Sequence, residues 1–362
     1  MKRILALALT LLLCLAPIAH AAPVENIDEW VKAQAALLSD DQKQINLMTW
    51  TYYVPDEVVA DFEALTGITI NYAATMGDNE EMISKLVATP DAYDMLVISD
   101  IFVMEMAQLG MLEELDRTKI PNFSNINPTY QGQFFDPDNK YSIAYTHYVP
   151  LLCYNPDMVE APVEGYADLW RDEFKGKLAV LADIRNVIGM AQKKLGYSYN
   201  DTDPEHMALV AKELETLKPN IVVFNSDTPH NALISGEATA GFMFGSQIVY
   251  AQEMGTNLVA VYPQEGLGFG IDDIVMSAQA QNKDAAYIFM NYLLDGKVSA
   301  YASDLIDYGN CNTAATEFLS EDFVKNMAIN VPQDLLAEAE MMVPLTGDDL
   351  TLYNDIWVNF RQ

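Results

Sequence analysis

The groups able to do chemistry gather where short apolar runs end. After the run 45–49 come Trp50, Thr51, Tyr52 and Tyr53, closed by Pro55. After 95–98 come Ser99 and Asp100; after 178–181 comes the stretch 182–186 with Asp183, Arg185 and Asn186. The run 241–244 ends in Phe244 with Gly245 and Ser246 behind it, and residues 269–273 carry Asp272 and Asp273. Hydroxyls, aromatic rings and carboxylates recur in these stretches and lysine does not. Ring faces attract cations, and a carboxylate is held in its charged form by a nearby positive group. The set therefore suits a small organic cation. Each member alone has an ordinary structural reading: a Ser-Asp pair after a strand is commonly a helix N-cap, and Trp50 can plug a sheet edge. Their recurrence at strand ends carries the reading.

Catalytic chemistry finds little support. No G-x-S-x-G elbow, P-loop or metal-spaced histidine set occurs, so no catalytic residue, metal or cofactor is expected. The G-x-G-x-G run at 266–270 lacks the dinucleotide spacing and reads as a loop near a hinge. Adjacent acids such as Asp272 and Asp273 cannot signal hydrolysis in a chain with 52 Asp and Glu.

The elements that must position these residues alternate. Residues 45–49 read as a strand and 55–65 as a helix with Pro55 in its first turn, stopped by Gly67. Residues 68–73 read as a strand, 79–88 as a helix, and 95–98 as a strand buried on both faces. That order is a βαβ series, which implies a parallel sheet flanked by helices. A long strand signal spans 141–154, a Trp-containing helix 167–174, and 178–181 a strand leading into a loop at 182–186. Strands at 221–224, 241–244 and 258–261, with helices between them, complete a second α/β unit. Ligands of open α/β sheets sit beyond the carboxyl ends of the strands, where the candidate residues fall. Two such units in 362 residues point to two lobes with a cleft between them.

Residues 1–21 read as a cleavable leader: Lys2 and Arg3, then an apolar run 4–18, then Ala19-His20-Ala21. Secretion, to a periplasm or beyond, follows. A formal charge of −32, two units lower without Lys2 and Arg3, excludes nucleic acid, whose phosphates demand Lys and Arg clusters. Cys153 and Cys311 remain after cleavage and read as buried free thiols, though an oxidising compartment permits a disulfide.

Read as a whole, the chain resembles the periplasmic spermidine/putrescine-binding proteins of polyamine ABC transporters. The matching segments are NLMTWTYYVPDEVVADFEALTGI (46–68), YDMLVISD (93–100), NFSNINP (122–128), FDPDNKYSIAY (135–145), YADLWRDEFKGKL (166–178), FNSDTP (224–229) and YGNCNTAA (308–315). The resemblance implies a hinged α/β fold of two lobes, each a mostly parallel sheet flanked by helices around a central cleft. It implies lobe 1 at 45–146 and 268–316, lobe 2 at 147–267 and 317–362, and an N-terminal linker helix within 22–44. It further implies a ligand-binding set of Trp50, Thr51, Tyr53, Ser99, Asp183, Asp272 and Tyr308, with Asp183 gripping a terminal amine and Asp272 an inner one. The chain departs from the family pattern at several places. Asn186 stands where a second carboxylate is usual, Phe244 and Gly270 replace two sandwiching tryptophans, and Ile101 replaces an aromatic. Val343 falls where a glutamine is usual. Asp100 and Asp273 stand beside inherited positions and could supply charge differently. Gly270 is expected to open space for a bulkier or differently shaped ligand. The implied role is a monomeric, non-catalytic subunit that hands a polyamine to an ABC permease. An amino acid, small peptide or other amine, or a sensor in place of the permease, is the alternative.

Overall fold

The computed structural model describes residues 22–50, 53–76 and 79–362. The expected leader, Thr51 and Tyr52 lie outside the described residues. Helix α1 (Ile27–Ala35) starts where the Asn26 side chain accepts from the Glu29 N–H. Then follow β1 (Gln44–Trp50), α2 (Asp56–Thr66), β2 (Thr69–Met76), α3 (Asn79–Ala88), β3 (Met95–Ser99) and α4 (Asp100–Gln108). Pro55, extended at ψ 139, leads into α2, and Gly67 ends it in the left-handed region at φ 67, where a side chain would be strained. All five residues of β3 are buried.

The strand signal at 141–154 is two strands, β4 (Ser142–Tyr148) and β5 (Pro150–Tyr154), lying in different sheets. Val149 between them is buried, so the apolar signal has no gap. Pro150, with no N–H to donate, marks the seam. Beyond it lie β6 (Leu178–Val180), α5 (Ile184–Lys194), β7 (Ile221–Phe224), β8 (Ala240–Phe244), β9 (Val259–Val261), β10 (Gly268–Met276), β11 (Gly309–Asn310) and β12 (Glu340–Met341). The helix expected at 167–174 is instead two 3-10 turns, Tyr166–Trp170 and Asp172–Phe174. The Asp168 carboxylate accepts from the N–H groups of Glu164 and Gly165, and the extended backbone of Arg171 splits the run.

One sheet has the order β11-β4-β10-β3-β1-β2, with β12 on the end of β10; the other has the order β7-β6-β8-β5-β9. These are the centres of the two lobes. The βαβ portions are parallel, as expected: β1 with β2 and β3, and β6 with β7 and β8. However, β10 runs antiparallel to β3 and β4, and β5 antiparallel to β8 and β9. Each sheet is therefore mixed rather than mostly parallel. A strand arriving from the opposite lobe enters its sheet against the local direction, and β5 and β10 are such strands. One core fills the first lobe and continues under one face of the second sheet. The other face of that sheet has its own core, which the C-terminal helix Gly347–Arg361 completes with Tyr353, Ile356 and Phe360. Cys153 and Cys311 are both buried and free. No helix among the described residues is long and apolar enough to cross a membrane.

Candidate functional site

Asp272 lies inside β10, not in a loop behind a strand as the sequence reading placed it. Because β10 is antiparallel to both neighbours, Asp272 stands opposite Ser99 on β3 and Thr146 on β4. Three hydroxyls converge there. Tyr53 donates to Asp272 Oδ2, Ser99 donates to Oδ1 at 2.8 Å, and Thr146 shares a 2.6 Å hydrogen bond with Tyr53. Ser99 occupies the N-cap position of α4 but makes no side-chain cap bond; its hydroxyl serves Asp272 instead. Burial pushes the Asp272 carboxyl up to about 6, and the two hydroxyl donors pull the other way.

Asp100, the first residue of α4, is wholly buried. Its oxygens accept from Ile101 N at 2.7 Å and Ile271 N at 3.2 Å. Burial pushes this carboxyl up to about 8, with the Asp272 charge adding to the rise and Arg185 opposing it. Asp273 points elsewhere: it meets Ser142, and its Oδ2 has no partner. Burial, followed by the charges of Asp100, Asp272 and Asp136, holds it well above the carboxylate range. Successive strand residues face opposite ways, so the pair Asp272-Asp273 is not brought to one place.

The second lobe contributes Asp183 and its helix. Residues 182–186 are not a loop: Asp183 caps α5, accepting from Asn186 N at 2.8 Å, so the helix begins at once. Burial raises the Asp183 carboxyl, and hydrogen bonds from the backbone and side chain of Asn186 offset part of that rise. Asn186 is 1% exposed, and its Oδ1 has no partner. Arg185, for which the sequence suggested no role, is buried. Its guanidinium donates to the Val343 carbonyl at 2.6 Å and to Asn200 Oδ1 at 2.9 Å, and its charge pulls Asp183 and Asp100 down. It is the only basic residue in the stretches singled out from sequence, and that was the signal available.

Rings line the remaining walls. Tyr53 stands edge-on to Trp50 and to Tyr308, each 5.0 Å between centroids. Tyr308 is hydrogen-bonded to Ser246, and burial pushes its phenol up to about 12. Phe244, at the end of β8, is edge-on to Tyr148 at 5.6 Å. Tyr148 was missed as a site residue, having been read only as part of a crossing strand. It is the ladder partner of Gly270, and a Cβ on Gly270 would fall 2.3 Å from the Tyr148 ring. The space expected to open at Gly270 is therefore filled, from the neighbouring strand. Position 343 acts through its backbone, and Ile101 is half-buried beside Asp100. Thr51 lies outside the described residues.

The structure thus gathers Trp50, Tyr53, Ser99, Asp100, Asp272 and Tyr308 on one lobe and Asp183, Asn186 and Phe244 on the other, and leaves Asp273 aside. No group of residues suited to a metal ion occurs among the described residues. Carboxyls on both lobes, held by hydroxyls and walled by rings, can draw the lobes together around a molecule with positive charge at both ends.

Comparison with known proteins places the chain among solute-binding proteins. The family described as bacterial extracellular solute-binding protein matches residues 57–331. The spermidine/putrescine-binding periplasmic protein of Escherichia coli is 36% identical over 308 residues, covering 84% of this chain and 88% of the relative. The putrescine-binding periplasmic protein of the same organism is 30% identical over 321 residues, covering 83% and 86%. Among solved structures, the spermidine/putrescine ABC transporter substrate-binding protein of Streptococcus pneumoniae is similar with a TM-score of 0.79 at 28% identity. That likeness covers 88% of this chain and 98% of the other.

Proposed function

The chain belongs to the bacterial extracellular solute-binding protein family, and on that premise we propose that it captures a linear polyamine between its two lobes. Like the proteins it resembles, it binds and releases its ligand and does not turn it over. The observation that carries this reading is the buried Asp272 carboxyl, fixed by Tyr53 and Ser99 on one lobe while Asp183 caps α5 on the other. One ammonium pairs with Asp272 and the far ammonium with Asp183, and the rings of Trp50, Tyr308 and Phe244 cover the methylenes between. Closure is a hinge motion about the seam at Val149 and the connection from β9 to β10. In this reading the lobes divide at Val149 and in the connection from β9 to β10, beside the expected bounds of 146–147 and 267–268. In this reading residues 1–21 are removed on export, the mature chain acts as a monomer in the periplasm, and the closed form docks on the membrane subunits of an ABC importer.

A thermal-shift panel tests the reading. The mature protein is heated with putrescine, cadaverine, spermidine, spermine, basic amino acids, choline and a neutral sugar. A ligand at about 100 times its Kd adds ~2.7 kcal/mol to stability. The expected result is a rise in Tm with at least one linear polyamine and none with the sugar. A rise confined to the amino acids or choline would replace the polyamine with that class.

A further inference from the structure

The geometry points to Tyr148 as the residue that determines ligand length, selecting a short linear diamine over a longer polyamine. This rests on the reading that the cleft holds a linear polyamine. Tyr148 is the last residue of β4, one residue before the seam at Val149, so its backbone is held by the first sheet at the entrance to the second. Its ring covers Gly270 so closely that even an alanine there would collide with it. On the side of the second lobe it meets Phe244 edge-on at 5.6 Å, and its hydroxyl is hydrogen-bonded to Ser99. Burial holds that phenol well above its usual range, and the charges of Asp100, Asp272 and Asp183 add to the rise. Tyr148 therefore feels the acids of both lobes, and its ring fills the space over Gly270 and reaches Phe244 of the second lobe.

The charges lead to the same length. Once a bound ammonium has displaced the Asp100 proton, Asp100, Asp272 and Asp183 bring three negative charges, and Arg185, close enough to lower Asp100 and Asp183, cancels one. Two ammonium groups balance the remainder. A third ammonium has no carboxylate left to meet, and its extra propylene arm runs into the Tyr148 ring. Asn186 beside Asp183 offers only an amide oxygen, which accepts a hydrogen bond without supplying charge.

Calorimetric titration of the mature protein with putrescine and with spermidine, repeated on Tyr148→Phe and Tyr148→Ala, tests the proposal. A single misfitting methylene already changes binding by ~10-fold or more, so the wild type should prefer putrescine by at least about that factor. Tyr148→Phe keeps the ring and should keep the preference. Tyr148→Ala should lose it, with spermidine gaining at least ~10-fold relative to putrescine. Should Tyr148→Ala fail to unfold cooperatively, Tyr148→Leu, which keeps bulk but shortens the reach, reads the same ratio. Equal or tighter spermidine binding by the wild type overturns the proposal, as does an unchanged ratio in folded Tyr148→Ala or Tyr148→Leu. If the wild type binds neither amine, the polyamine reading itself fails, and the length selector with it.

Discussion

Replacing Asp272 by asparagine should move stability and affinity in opposite directions. The side chain is 4% exposed, and burial raises its carboxyl from 3.8 to about 6. At about pH 8 the empty wild type therefore carries an ionised group that would rather be neutral. A rise of that size corresponds to ~3 kcal/mol, at ~1.36 kcal/mol for each pH unit. The amide escapes that cost. It also leaves either Tyr53 or Ser99 short of an acceptor, a loss of ~1 kcal/mol. The empty variant should thus be as stable as the wild type, or up to ~2 kcal/mol more stable, at about pH 8. The advantage should vanish below about pH 4, where both side chains are neutral. Binding behaves otherwise: removing one partner of a buried ion pair costs ~3–5 kcal/mol, or a factor of ~10²–10⁴ in Kd. Calorimetric titration with putrescine and thermal unfolding at the two pH values read both effects. An unchanged Kd would refute the role of Asp272 as the ammonium partner. A variant clearly less stable than the wild type at about pH 8 would refute the burial argument.

In the empty protein Asp272 holds a proton below about pH 6 and Asp100 below about pH 8, and an ammonium must displace it. Affinity for putrescine should therefore rise from pH 5 to about pH 8, with proton release visible as a buffer-dependent binding enthalpy. In the empty protein the same two groups bind more protons folded than unfolded. Their stabilising contribution is full below about pH 4 and is lost as pH rises through about 6 and then about 8, so Tm should fall across that window. A flat Tm and a buffer-independent enthalpy would contradict both statements. Asn186→Asp adds the charge that Arg185 cancels, and should raise spermidine affinity relative to putrescine; the ratio of the two Kd values checks it.

The order of elements was legible because each strand of the βαβ series is an apolar run of strand length, and Pro55 and Gly67 bracket α2. The candidate residues were legible for the same reason: Trp50, Ser99 and Asp183 do close β1, close β3 and follow β6. What escaped was pairing. The crossings near 144–148 and 267–269 are expected from the sequence, but nothing in the periodicity shows that β10 runs against both of its neighbours. The G-x-G-x-G run at 266–270 reads as a loop, which puts Asp272 and Asp273 behind a strand rather than inside β10. Here the hydroxyls of Tyr53 and Ser99 make Asp272 tolerable, while burial pushes the Asp273 carboxyl up. The filling of Gly270 by Tyr148 joins residues far apart in sequence through one ladder position, a relation that neither residue shows by itself.

The central claim is that two lobes close on a linear dication, and a calorimetric titration of the mature wild type with putrescine at about pH 8 tests it most directly, where Asp272 is ionised and Asp100 is at the midpoint of its titration. The account predicts saturable binding of one putrescine per chain, with proton uptake by the buffer. Heats that never saturate, with putrescine and equally with every longer linear polyamine, would contradict it.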